Sequence, residues 1–116
     1  MYRIYHNPRC SKSRGALALL EEQGIEPEVV HYLDTPLERE ALVTLLRQLD
    51  MQPSELIRRG EAIYKTEYAT REMSEDDWLA AMVAHPVLIE RPIIVAGDRA
   101  VVGRPPEKVL ELIDDQ

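Results

Sequence analysis

The stretch Ile93-Ile94-Val95-Ala96-Gly97-Asp98-Arg99-Ala100-Val101-Val102 decides the fold. Two short apolar and β-branched runs, Ile93 to Ala96 and Ala100 to Val102, flank Gly97-Asp98, a residue pair suited to a two-residue turn. The pattern predicts an antiparallel hairpin near the end of the chain. Downstream, Pro105-Pro106 opens a last helix carrying Val109, Leu110 and Ile113. Upstream, Ser74 followed by Glu75, Asp76 and Asp77 is an N-cap with acids in the first turn. Trp78, Leu79, Met82 and Val83 form the buried face of that helix, and His85-Pro86 ends it. Earlier still, Thr35-Pro36-Leu37-Glu38 has the form of a capping box with Pro at the first helical position. It predicts a helix starting there, with the stripe Leu42, Leu45, Leu46 and Leu49, and stopping before Met51-Gln52-Pro53. Ser54 to Arg59 reads as a short helical turn ending at Gly60. At the N-terminus, Tyr2 to Tyr5 is a short strand broken by His6-Asn7-Pro8. From Ser11 or Ser13 onward Ala16, Leu19, Leu20 and Gln23 keep helical spacing, with Gly24 as the C′ residue. Glu28 to Tyr32 is a second strand.

The order is therefore βαβ, a helical middle at about residues 36–85, then ββα. The βαβ unit sets its strands parallel and the hairpin adds antiparallel ones, so the class is α/β with a mixed sheet. This is the thioredoxin-like topology with a helical insertion. A doubly wound sheet would need a third parallel crossover, which the Gly97-Asp98 hairpin excludes. The 116 residues suit one domain, 1–116, able to bury roughly two-thirds of its unfolded surface. With 45% apolar and 30% charged residues the composition is globular rather than disordered. A net charge of −7 argues against a nucleic-acid partner. The longest apolar run, Trp78 to Ala84, is far shorter than the ~20 residues of a membrane span. No signal peptide precedes the first strand, and the single Cys10 has no internal disulfide partner, so the expectation is a soluble cytoplasmic protein without membrane contact.

Cys10 falls just after the first strand, at the start of the first helix. Unpaired backbone N–H groups there favour negative charge, and Arg9, Lys12 and Arg14 lie close in sequence. A thiol so placed is favoured as thiolate. The plainer alternative is a small buried core residue, although HNPRCSKSR has no apolar neighbour to pack beside it. One cysteine with scattered histidines does not make a zinc site, and no metal is expected. A C-x5-R phosphatase loop would need Arg at position 16, which is Ala16, and a C-x-x-C dithiol would need Cys at position 13, which is Ser13. What remains is a C-x-x-S monothiol. Ser13 either hydrogen-bonds the thiolate or stabilises the helix start. Any disulfide must form with an external thiol such as glutathione or a glutaredoxin. His6 suits a cation or hydrogen-bond partner of the thiol, or else a surface histidine at a strand end. His31 and His85 show no partner in sequence.

Eleven of the 14 basic residues are arginine, the side chain that grips a tetrahedral oxyanion with a planar fork. Arg91 and Arg104 stand out, each preceding a proline and each adjoining an end of the hairpin. In this topology both lie beside the first strand–helix turn.

HNPRCSKSR, Leu56-Ile57-Arg58, Arg91-Pro92-Ile93 and Gly103-Arg104-Pro105 together closely resemble the glutaredoxin-coupled arsenate reductase family, over almost the whole chain. The resemblance implies that Cys10 is the nucleophile, that His6 and Ser13 assist its thiolate, and that Arg58, Arg91 and Arg104 bind the oxyanion. It makes Pro92 the cis-proline beside the active cysteine. It also implies reduction of arsenate to arsenite, with glutathione as co-substrate, glutaredoxin as partner and no tightly bound cofactor. Arg59 adjoins Arg58, and the alignment of the motif favours Arg58. Two other functions fit the scaffold: a monothiol glutathione-linked redox protein that does not act on arsenate, and a thioredoxin-like regulatory module binding RNA polymerase.

Overall fold

The computed structural model describes residues 2–114. The chain divides into two compact units, one formed by the segments up to Thr35 and from Arg91 onward, the other by Pro36–Glu90.

The first unit is a four-stranded mixed sheet with two helices. Its strands are β1 (Tyr2–Tyr5), β2 (Glu28–Val30), β3 (Ile93–Ala96) and β4 (Arg99–Val102), in the order β2-β1-β3-β4. β1 and β2 are parallel, with Ile4 opposite Val29. β1 and β3 are antiparallel, with Ile4 opposite Ile94. β3 and β4 form the hairpin, with Ala96 opposite Arg99, so Gly97 and Asp98 are the whole loop. Gly97 takes φ +64°, the positive value a type II′ turn needs at its first central residue. Ile4, Ile94 and Ala96 share one buried cluster with Ala16 and Leu20 of α1 (Ser11–Glu22) and Val109 and Leu112 of α4 (Val109–Asp114). Fully burying a leucine such as Leu20 contributes about 1.5–3 kcal/mol, and Leu20→Ala costs about 2–5 kcal/mol. At Gly103, just after β4, an added Cβ would lie 3.0 Å from Ile94 Cδ1 and from Pro92 Cγ, and 3.4 Å from Ala16 Cβ. A side chain there would require Ile94 or Pro92 to give by a few tenths of an ångström.

The second unit holds α2 (Arg39–Leu49) and α3 (Glu75–Ala84) with short 3-10 turns at Pro53–Leu56 and Pro86–Leu88. α2 buries Leu42, Leu45 and Leu46, and α3 buries Trp78, Leu79, Ala81 and Met82. Ser74 caps α3 through a reciprocal pair of hydrogen bonds with Asp77, 3.1 and 3.0 Å long. Arg39 of α2 is ion-paired with Asp76 of α3.

Four details differ from the sequence expectation. Helix α2 starts at Arg39 rather than after Thr35, because the Thr35 N–H is held in a turn by the His31 carbonyl, and the leucine stripe that drives helix burial begins only at Leu42. β2 ends at Val30, since Tyr32 enters that same turn. Ser54 to Arg59 is not one helical turn: the 3-10 turn ends at Leu56, and Ile57 pairs instead with Ile89 in an antiparallel bridge. Tyr64–Tyr68 forms a π-helical turn whose two tyrosines pack on Trp78, a tertiary contact with no local signature.

Candidate active site

The site grows from the end of β1. Tyr5 pairs with Val30 on one side and Ile93 on the other, and the His6 N–H donates to the Val30 carbonyl at 2.9 Å, carrying the parallel pairing one residue further. The chain then turns through Asn7-Pro8-Arg9 into α1. Asn7 builds the turn: its carbonyl accepts the Cys10 N–H at 3.0 Å, and its Oδ1 accepts the Arg9 N–H at 3.0 Å. The Arg14 guanidinium donates to the Pro8 carbonyl at 2.9 Å. Cys10 is the N-cap residue of α1, extended at φ −96° and ψ 123°, and its carbonyl accepts the Arg14 N–H. No acidic residue occupies the first turn, so the charge that the helix terminus favours is not already supplied.

Below this turn lies a buried polar pair. His6 Nδ1 and Ser13 Oγ share a hydrogen bond of 2.6 Å, and the same Oγ accepts the Asn7 N–H at 3.0 Å. Ser13 is fully buried and His6 is 5% exposed, which removes the surface-histidine alternative. Burial, chiefly, pushes the His6 pKa down, and the neighbouring His31 and Arg14 push in the same direction. His6 is therefore a neutral hydrogen-bond partner at neutral pH, not the cation that sequence left open. Which of Nδ1 and Oγ donates in that bond depends on the His6 tautomer, and Cys10, the N-cap residue, lies three residues before Ser13 in the chain. Cys10 is 8% exposed.

The hairpin brings Arg91 and Arg104 to the same end of the sheet. Ile93 pairs with Val102, and one step out the Gly103 N–H donates to the Pro92 carbonyl at 2.8 Å, so Arg91 and Arg104 are the next residues outward on the two chains. Ile93 also faces Tyr5, immediately before His6. The Arg91–Pro92 and Arg104–Pro105 peptides are both cis. Pro92 is buried, and Arg91 and Arg104 are half-buried. Arg58 lies in the second unit, ion-paired with Glu61 at 2.7 Å and Glu90 at 3.2 Å. Arg59 stacks over the rings of Tyr64 and Trp78, 5.4 and 5.9 Å from their centroids, and donates to the Tyr64 hydroxyl.

Asn7 and His31 are the residues that sequence reasoning missed. An Asn-Pro pair leaving a strand signals a side-chain-capped turn, so Asn7 was recoverable. His31 was not: its ring meets His6 edge to face at 6.0 Å only because β1 and β2 are parallel and in register. His85 likewise meets Tyr68 at 6.2 Å. Among the described residues no group of three His, Cys, Asp or Glu side chains is gathered to hold a metal ion, and no helix is long and apolar enough to cross a membrane.

A mixed sheet in this order, with one thiol at the first strand–helix turn, defines a thioredoxin-like domain of the monothiol kind. The ArsC family model matches residues 5–112, and the chain belongs to that family. It is 52% identical over 113 residues to the uncharacterized protein YfgD of Escherichia coli, covering 96% of this chain and 95% of that one. It is 44% identical over 109 residues to an arsenate reductase of Neisseria meningitidis, covering 92% and 93%. The structure of an arsenate reductase from Vibrio cholerae superposes with a TM-score of 0.89 at 49% identity, over 95% of each chain.

Proposed function

We propose that this protein reduces arsenate to arsenite, with glutathione and a glutaredoxin as reducing partners. The observation that carries the reading is the single cysteine of the chain at the N-cap of α1, beside the buried His6–Ser13 pair. Membership of the ArsC family and the likeness to proteins named arsenate reductases support arsenate as the substrate. The Cys10 thiolate attacks arsenic and displaces one oxygen as water. Glutathione adds to the arsenic and displaces a second. The two sulfurs then join as a Cys10–glutathione disulfide, the electron pair passes to arsenic, and As(V) leaves as arsenite. Glutaredoxin resolves the mixed disulfide, because the chain has no second thiol to do so. Ser13, held by His6 and Asn7, donates to the thiolate. Arg91, Arg104 and, by the family motif, Arg58 neutralise the oxyanion, whose approach to a thiolate brings two anions together in a protein of net charge −7.

The test is arsenate-dependent NADPH consumption with glutathione, glutathione reductase and glutaredoxin present. Wild type should turn over and Cys10→Ser should not. A wild type that exchanges thiols with glutathione but leaves arsenate untouched would hand the lead to the monothiol redox reading.

A further inference from the structure

The first twenty residues carry Arg3, Arg9, Lys12 and Arg14 and no acid, although the whole chain has a net charge of −7. Three of these cations bracket Cys10: Arg9 precedes it, and Lys12 and Arg14 lie at the start of α1. Ser13 between them is fully buried, so at about 100° per residue Lys12 and Arg14 leave the helix on either side of it. Arg9, Lys12 and Arg14 are all exposed. The Arg14 guanidinium folds back onto the Pro8 carbonyl at 2.9 Å, and its charge helps to lower the His6 pKa. Among the described residues neither Arg9 nor Lys12 takes part in an ion pair. Glu21, the first acid of the chain, lies about 15 Å further along α1 at 1.5 Å per residue, beyond a Debye length of ~8 Å. Neighbouring elements of the same unit add two acids. Glu107 sits beside Lys108 in the 3-10 turn whose Pro106 packs against Gly15, and Asp34 is in the turn closed by the His31 carbonyl. Within the unit, cations outnumber acids around Cys10.

A thiol or disulfide that brings its sulfur to Cys10 passes these side chains. Arg14 is held on the turn, which leaves Arg9 and Lys12 to meet the charges of the incoming molecule. We infer that Arg9 and Lys12 form an anion-selecting rim, making Cys10 prefer thiols and disulfides that carry carboxylates over neutral or cationic ones. Glutathione, with two carboxylates and one ammonium group, is of the favoured kind. The inference rests on the proposed reaction for glutathione as the co-substrate, and it names the residues that recruit it.

Thiol–disulfide exchange tests the rim with no arsenate present. The Cys10 thiolate attacks one sulfur of a disulfide, a new S–S bond forms as the old one breaks, and the other half leaves as a thiolate. Cys10 is thereby oxidised and the leaving half reduced. Cys10 is the only cysteine, so intact mass against time reads the reaction. The probes are anionic glutathione disulfide, neutral hydroxyethyl disulfide and cationic cystamine. Wild type is compared with Arg9→Gln, Lys12→Gln and the double variant at neutral pH and low ionic strength, each checked for native circular dichroism. A changed thiolate fraction acts on all three probes alike, so each rate is taken as a ratio to that of hydroxyethyl disulfide. Each single substitution should lower the glutathione-disulfide ratio about threefold and the double about tenfold, while the cystamine ratio rises. High salt should erase these differences. A merely loosened turn would act through size and leave cystamine, close in size to hydroxyethyl disulfide, where it was. A fall for glutathione disulfide with no rise for cystamine, or unchanged ratios in the double variant, overturns the rim alone. Wild type that reacts with hydroxyethyl disulfide but not with glutathione disulfide overturns both the rim and glutathione as co-substrate. If the ratios shift as expected but wild type gives no arsenate turnover with glutathione, the proposed reaction falls and the rim stands.

Discussion

Replacing Ser13 by alanine removes one oxygen and strands two buried groups. Ser13 Oγ is the partner of the Asn7 N–H at 3.0 Å and of His6 Nδ1 at 2.6 Å. Asn7 and His6 are 9% and 5% exposed, so water is poorly placed to replace the lost oxygen. An unsatisfied buried polar group costs about 1–3 kcal/mol, and two of them about 2–6 kcal/mol. Alanine recovers about 0.5 kcal/mol through its better helix propensity. The net expectation is a loss of about 3 kcal/mol, which lowers Tm by roughly 12 °C at about 4 °C per kcal/mol for a chain of this size. Thermal unfolding followed by circular dichroism at pH 7.5 measures it. A double-mutant cycle with His6→Phe isolates the shared bond and should return a coupling of about 0.5–3 kcal/mol. Both losses below about 1 kcal/mol, with no coupling, would refute the claim that Ser13 organises the turn.

Three further outcomes follow from the same geometry. The folded pKa of His6 lies below its unfolded value of about 6.5, so the unfolded chain binds more protons as pH falls. Stability should hold above about pH 6.5 and decline as pH drops towards the folded pKa, and His6→Gln should flatten that limb; an unchanged slope in the variant contradicts the assignment. Arg91→Ala and Arg104→Ala should leave the fold intact and lower arsenate turnover about 10²-fold or more, with lysine restoring it only in part, as steady-state kinetics will report. Gly103→Ala drives a methyl group against Pro92 and Ile94 and should cost about 1–3 kcal/mol in urea unfolding.

The sheet was legible in sequence because its signals are local. Gly97-Asp98 between two apolar runs gave the hairpin, and strand–helix–strand spacing gave the parallel pair. The boundaries that failed are those where a backbone group is taken by a partner outside the expected element. Thr35 bonds back to His31, and Ile57 pairs with Ile89 across more than thirty residues. The place of Cys10 at the start of α1 was legible, whereas the pairing of His6 with Ser13 was not, since it needs the turn through Asn7-Pro8-Arg9. The neutrality of His6 was not, since burial and the His31 ring arise only once β1 and β2 align. The glutamates around Arg58 were hidden for the same reason: Glu90 reaches it only through the ladder between 56–58 and 88–90.

The most direct measurement of the central claim is the intact mass of the protein after incubation with arsenate and glutathione, glutaredoxin withheld. Cys10 should accumulate as a mixed disulfide with one glutathione, released as the free thiol when glutaredoxin is added. The adduct should depend on arsenate, form with stoichiometric arsenite, and be absent in Cys10→Ser. Glutathionylation at the same rate without arsenate, or arsenite formed by Cys10→Ser, would contradict the account.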